Sequence, residues 1–148
     1  MSDKAKVIPY ASFDLAANED KTVTCDFFSI DDSPEMVNHP KHYNDESGVE
    51  CCEVTDFMMF NGGNCFKYLY RAGKKGSTVE DLKKAAWYAK RAGELEECTD
   101  SKQWAKALRT VFKYREGHIY KAMVAIRYHW WARVEAKIEA EIARLESE

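Results

Sequence analysis

Asn64-Cys65-Phe66-Lys67-Tyr68-Leu69-Tyr70-Arg71-Ala72-Gly73-Lys74-Lys75-Gly76-Ser77-Thr78-Val79-Glu80-Asp81-Leu82-Lys83-Lys84-Ala85 decides the reading of this 148-residue chain. Up to Ala72 the spacing is helical. Asn64, Lys67, Tyr68 and Arg71 fall at i, i+3, i+4 and i+7, so an amide, an ammonium, a phenol and a guanidinium share one face. Gly73 ends that helix, Lys74 and Lys75 follow on the turn, and Ser77-x-x-Glu80 is a capping box that opens the next helix. A helix start presents unpaired N–H groups, and here they lie beside basic side chains, which is what an anionic ligand requires. Gly73-Lys74-Lys75-Gly76-Ser77-Thr78 is not a Walker A loop: the Gly-x-x-x-x-Gly-Lys-Ser/Thr spacing is absent and a helix precedes it.

On the N-terminal side, a helical pattern runs from about Val49 to Phe60, and Asn61-Gly62-Gly63 is read as the break that turns it back on the Asn64 helix. Glu50, Glu53 and Asp56 repeat at i, i+3 and i+6 on it. Carboxylates so spaced can hold Mg²⁺, which accepts one or two of them together with substrate phosphates. They can equally form a solvated face, or pair across the hairpin, as Glu53 with Arg71. Upstream, Pro40 keeps Asn38-His39-Pro40-Lys41-His42-Tyr43 out of a helix and makes it a candidate functional loop.

On the C-terminal side, a third helix is expected from about Thr78 to Glu96, with Asp81, Lys84, Tyr88 and Arg91 as a polar stripe. A fourth spans Ser101 to about Tyr114, and a long fifth, residues 117–146, repeats Ile119, Met123, Ile126, Trp130, Val134, Ile138 and Ile142 at steps of three or four. That narrow stripe, with Trp131 beside it, reads either as a subunit seam or as ordinary core. Residues 1–36 read as a marginal hairpin, an irregular arm or a disordered tail. The expectation is an all-α bundle of about five helices. Residues 1–36 form the arm, 37–98 the core with the His-Pro-Lys-His loop, and 99–148 a C-terminal extension that serves oligomerisation.

Charge supports a local anion site. Residues 1–63 carry 13 acidic and 4 basic side chains, residues 64–91 carry 2 and 8, and residues 92–148 carry 10 of each. A net charge of -3 with one basic segment fits a small anionic ligand better than sequence-specific nucleic-acid binding. The 5 cysteines contain no Cys-x-x-Cys pair, so neither a disulfide framework nor a zinc ribbon is expected, and His39-x-x-His42 with Cys51-Cys52 matches no closed zinc site. No apolar stretch approaches a membrane span, and a cytoplasmic protein is expected.

Taken jointly, Asn38-His39-Pro40-Lys41-His42-Tyr43, Glu50 and Glu53, Gly63-Asn64-x-x-Lys67-Tyr68-x-x-Arg71-Ala72-Gly73-Lys74-Lys75 and Glu80-Asp81-Leu82-x-Lys84-Ala85-x-x-Tyr88 resemble the small phage family of SaV-like proteins of unknown function. That family includes a phage nucleotide kinase without a Walker A motif. The resemblance covers residues 36–95 or so. It implies phage origin, action in the host cytoplasm, a homo-oligomer, and handling of deoxynucleoside monophosphates with ATP and Mg²⁺. On this reading Lys67, Arg71, Lys74 and Lys75 hold phosphates, and Glu50 and Glu53 hold Mg²⁺ with help from Asp81. His42, Glu53 and Asp81 are the catalytic candidates. His39, Lys41, Tyr43, Asn64, Tyr68, Lys84 and Tyr88 complete the nucleotide site. An all-α pyrophosphohydrolase is a lower variant, since Glu50-x-x-Glu53 meets only Glu80-Asp81 on the second helix. A non-enzymatic sponge that sequesters a host nucleotide immune signal needs the same cations and tyrosines and no cofactor. A helical partner-binding protein is the weakest reading.

Overall fold

The computed structural model describes residues 37–148, and the arm expected for residues 1–36 lies outside them. The described residues are all-α. A 3-10 turn at Lys41–Tyr43 precedes α1 (Cys51–Thr55), α2 (Phe60–Arg71), α3 (Thr78–Glu94), α4 (Lys102–Phe112), α5 (Gly117–Arg127) and α6 (Trp131–Glu146). None of these helices is long and apolar enough to cross a membrane.

Ser77 accepts a hydrogen bond from the Glu80 N–H at 3.3 Å and starts α3, as expected, but the Glu80 carboxylate pairs with Lys84 instead of completing the capping box. Ser101 caps α4 through the Trp104 N–H. Gly73 and Gly76 take positive φ values of 82° and 65°, which only glycine adopts without penalty, and these fold α3 back along α2. Every helix contributes to one core. α3 lies against α2 and α6, and α5 against α6 and α4. Phe66, Leu69, Leu82, Trp104, Met123 and Ile138 are among its buried side chains. The 99–148 extension is therefore packed into the same core as residues 37–98.

Three expectations are corrected. Asn61-Gly62-Gly63 is not a break but the first turn of α2, and the chain reverses earlier, after the short α1. α2 has no side-chain cap of its own. Its cap arrives from 35 and 36 residues away: the buried Glu97 carboxylate accepts from Asn61 N (3.2 Å), Asn61 Nδ2 (2.6 Å) and Gly62 N (2.6 Å). An anion at the positive end of the helix dipole replaces a local N-cap. Gly62 is small because Trp131 sits on it; a Cβ there would lie 2.9 Å from the indole ring, and one on Gly93 would lie 3.1 Å from Trp131 Cβ. The Trp131 indole N–H donates to the Glu97 carbonyl at 2.7 Å, so one residue organises both ends of the contact.

Glu97 reaches this position because α3 ends in a Schellman turn. Glu96 is left-handed at φ 50°, Glu96 N donates to Gly93 O and Glu97 N donates to Ala92 O. The same device corrects the long fifth helix. His129 is left-handed at φ 55°, His129 N donates to Ile126 O and Trp130 N to Ala125 O, which ends α5 and lets α6 begin at Trp131. A non-glycine residue in this region costs about 1–2 kcal/mol. The His129 ring offsets it by stacking on Trp104 (5.5 Å, 8°) and accepting the Thr99 N–H through Nε2 at 2.9 Å. Third, Trp131, Val134 and Ile138, expected as a possible subunit seam, are buried within the chain, while Trp130 stays half exposed.

Candidate functional site

The C-terminal half of α2 carries Lys67, Tyr68 and Arg71 to the first turns of α3, where Asp81 and Lys84 lie. Arg71 grips buried Asp81 with two arms, Nε to Oδ2 at 2.9 Å and Nη2 to Oδ1 at 2.8 Å. The Glu53–Arg71 pair expected across a hairpin does not form. The glycine turn places Asp81 opposite Arg71, whereas Glu53 Oε2 accepts the Glu50 N–H at 2.7 Å in the capping box of α1. Hydrogen bonding to Asp81 raises the guanidinium pKa further; burial opposes this and the Tyr43 phenol adds to it.

Tyr68 is the centre of the cations. Its ring has Lys67 Nζ at 4.6 Å, Arg71 Cζ at 5.0 Å and Lys84 Nζ at 5.8 Å, and it stacks on Tyr88 with centroids 5.8 Å apart and planes 15° apart. Phe60 and Trp87 meet Tyr88 edge-on at 6.0 and 4.9 Å, and both are exposed. The sequence reading included neither. Their signal was available, since Phe60, Asn64 and Lys67 on α2 and Lys84 and Trp87 on α3 follow the helical spacing of the cluster they border.

Lys67 differs from its neighbours. Its ammonium donates to Asn64 Oδ1 at 2.7 Å, Asn64 Nδ2 donates to Phe60 O at 2.8 Å, and no carboxylate among the described residues pairs with it. Burial, and then the charge of Arg71, lower its pKa. Lys67 stands between two pockets. One, of about 350 Å³, is lined by His39, Tyr43, Glu50, Cys51 and Thr55 among others. The other, of about 300 Å³, is lined by Thr55, Met58, Met59, Phe60, Gly63 and Asn64.

The remaining candidates divide. His42 borders the cluster: burial, then Lys75 and Arg71, push its pKa below the ordinary imidazole value. His39 Nδ1 hydrogen-bonds the Glu50 carboxylate, which also caps α1. Burial pushes the Cys51 thiol up to about 12, which makes it inert. Lys84 pairs with Glu80 at 2.6 Å. Lys41 is exposed on the 3-10 turn. Among the described residues no three His, Cys, Asp or Glu side chains converge as a metal cage. Glu50 and Glu53 share one capping box, so they fit a Mg²⁺ ion only as one or two carboxylates supplementing ligand phosphates.

Lys74 is drawn away from the cluster by Asp45, a residue not among the candidates from the sequence. Asp45 is nearly fully buried in its side chain and accepts from Lys74 (3.0 Å), Ser47 N (2.9 Å) and Arg115. Burial would raise its carboxyl, but hydrogen bonds from Arg115, Ser47 and Lys74 outweigh that and hold it well below the usual range. Lys74 and Arg115 also flank the Tyr70 ring, at 4.0 and 5.3 Å. The Asp45-x-Ser47 turn was legible, but its partner on the segment between α4 and α5 was not.

The model of a family described as a protein of unknown function (DUF3310) matches residues 37–90. The match spans the candidate residues from His39 to Tyr88 and ends before Glu97 and α4–α6. No curated protein matches the chain, and no solved structure does.

Proposed function

We propose that the chain binds a nucleotide at the junction of α2 and α3, with phosphates on Lys67, Lys75 and Arg71 and the base on the aromatic surface of Tyr68, Tyr88, Phe60 and Trp87. The observation that carries this reading is Lys67: a half-buried ammonium without a carboxylate, pressed against Arg71, between two pockets and beside stacked tyrosines. Two crowded cations are relieved by an anion with several charges, and exposed rings serve the face of a base.

For the use of the ligand we propose Mg²⁺-dependent phosphoryl transfer from ATP to a deoxynucleoside monophosphate, in a homo-oligomeric phage protein of the host cytoplasm. Phosphoryl transfer asks mainly for positioning and charge neutralisation. The pocket that holds Lys67 also holds Glu50 and His39, so a phosphate cation and a carboxylate face one space. Stoichiometric sequestration is the second reading. It is favoured by the engagement of Asp81 with Arg71 and of Glu50 and Glu53 in a capping box, which gives every candidate carboxylate a structural task.

Lys67→Gln tests the site, because it removes an ammonium that no acidic partner among the described residues holds while an amide can still bond Asn64. Affinity by titration calorimetry is expected to fall about tenfold to a hundredfold, the loss of one charge-assisted bond of about 1.5–3 kcal/mol, with the melting temperature unchanged. Wild-type affinity in this variant sinks the assignment. Glu53→Gln keeps the capping box, since Gln serves at that position, and removes the charge. Incubation with a nucleotide panel, ATP and Mg²⁺ followed by chromatography then separates the uses: lost turnover with retained binding indicates the enzyme, and unchanged stoichiometric ligand in the wild type indicates the sponge.

A further inference from the structure

The neutral total of residues 92–148 conceals a segregation of charge along the chain. Residues 101–115 contain Lys102, Lys106, Arg109, Lys113 and Arg115 and no acidic residue. Arg115 turns inward to Asp45. The other four fall at i, i+4, i+7 and i+11, one edge of α4, and all are exposed. Arg127 at the end of α5 joins them across a groove of about 450 Å³ that also bears the Thr99, Ser101 and Thr110 side chains. Its guanidinium is held 5.5 Å from the Trp104 ring centroid, and its buried Nε–H has no acceptor among the described residues.

Several other surface cations are compensated: Lys83, Lys84, Arg91 and Arg144 each meet a carboxylate. None of the five groove cations does so among the described residues, and the only acidic side chain on the groove is Asp100. At a rise of about 1.5 Å per residue the α4 edge is about 16 Å long, a line of charge extending over several phosphates of a nucleic-acid strand. Hydroxyls and cations contact phosphates without reading bases. Among the described residues no aromatic ring lines the groove, so they offer none of the stacking platforms by which proteins hold single strands.

We propose that the α4–α5 groove is a sequence-neutral docking surface for double-helical nucleic acid, held through its phosphates and separate from the α2–α3 site. The test is fluorescence anisotropy of the full-length protein with labelled 20-base-pair duplexes of DNA and RNA and the matching single strands, over a salt series. Duplex binding is expected, with a slope of log K against log salt of about -4, from four or five contacts at about -0.9 each. Lys106→Glu with Arg109→Glu is expected to weaken binding about tenfold or more and reduce the slope by about two. Both residues are exposed, and a circular dichroism melt equal to wild type verifies that the fold is kept. Lys90→Glu, outside the groove and the α2–α3 site, is expected to bind duplex as wild type does. Absence of duplex binding at about 50 mM salt, tighter binding of single strands, or wild-type affinity in the charge-reversed protein each overturns the proposal.

Discussion

Glu97→Gln tests the reasoning on which the fold depends. The carboxylate accepts three hydrogen bonds at the start of α2, two of them at 2.6 Å, in a site where the residue is 4% exposed. Gln is nearly isosteric but has one acceptor oxygen. If that oxygen takes both Asn61 donors, the new NH₂ group faces the Gly62 N–H, and two donors confront each other. One charge-assisted bond is lost, about 1.5–3 kcal/mol, and the favourable interaction with the helix dipole, about 0.3–1 kcal/mol, goes with it. The expected destabilisation is about 2–4 kcal/mol, a large part of the roughly 5–15 kcal/mol that holds a domain together. For a chain of this length each kcal/mol lowers the melting temperature by about 2–4 °C, so the calorimetric midpoint is expected to drop by about 4–16 °C. Amide exchange at residues 60–63 should accelerate more than at Ser77, whose cap is local. A melting temperature within about 1 °C of wild type would falsify the assignment of Glu97 as the cap of α2.

Gly62→Ala usually stabilises a helix by about 1 kcal/mol, but here the Cβ meets Trp131 at 2.9 Å, so a net loss of about 1–3 kcal/mol is expected in chemical denaturation. Asp45→Asn leaves Lys74 and Arg115 without their anion and should cost about 3–5 kcal/mol near neutral pH. Because the folded carboxyl titrates below its ordinary 3.8, its contribution is complete above that value and is lost as pH falls below it. The variant should therefore show a shallower loss of stability in an acid titration than wild type. Arg71→Lys keeps the charge but cannot hold both oxygens of buried Asp81, so stability is expected to fall by about 1–3 kcal/mol together with ligand affinity; unchanged thermal stability would show that the bidentate pair is unimportant. His129 is held below its ordinary 6.5 by burial and then by Arg127, so its contribution is present above pH 6.5 and declines as pH falls; His129→Gln should reduce the difference between melting curves at pH 7 and pH 5.

Sequence alone determined what depends on neighbours three or four residues apart. The all-α class, the cap at Ser77, the stop at Gly73 and the shared face of Lys67, Tyr68 and Arg71 are all of this kind, because helix spacing and capping are local geometry. What the tertiary structure decided depends on partners remote in the chain. Asn61-Gly62-Gly63 reads as a break until Glu97 and Trp131 are in place to cap it and pack on it. The α5–α6 interruption at His129 carries no glycine or proline, and its left-handed turn is stabilised by Trp104 and Thr99 from another segment. The choice of Asp81 rather than Glu53 for Arg71, the capture of Lys74 by Asp45 and the uncompensated edge of α4 follow the same rule. A charge in the sequence has a position and a sign, but its partner is chosen by which helices pack together, and that is a property of the whole core.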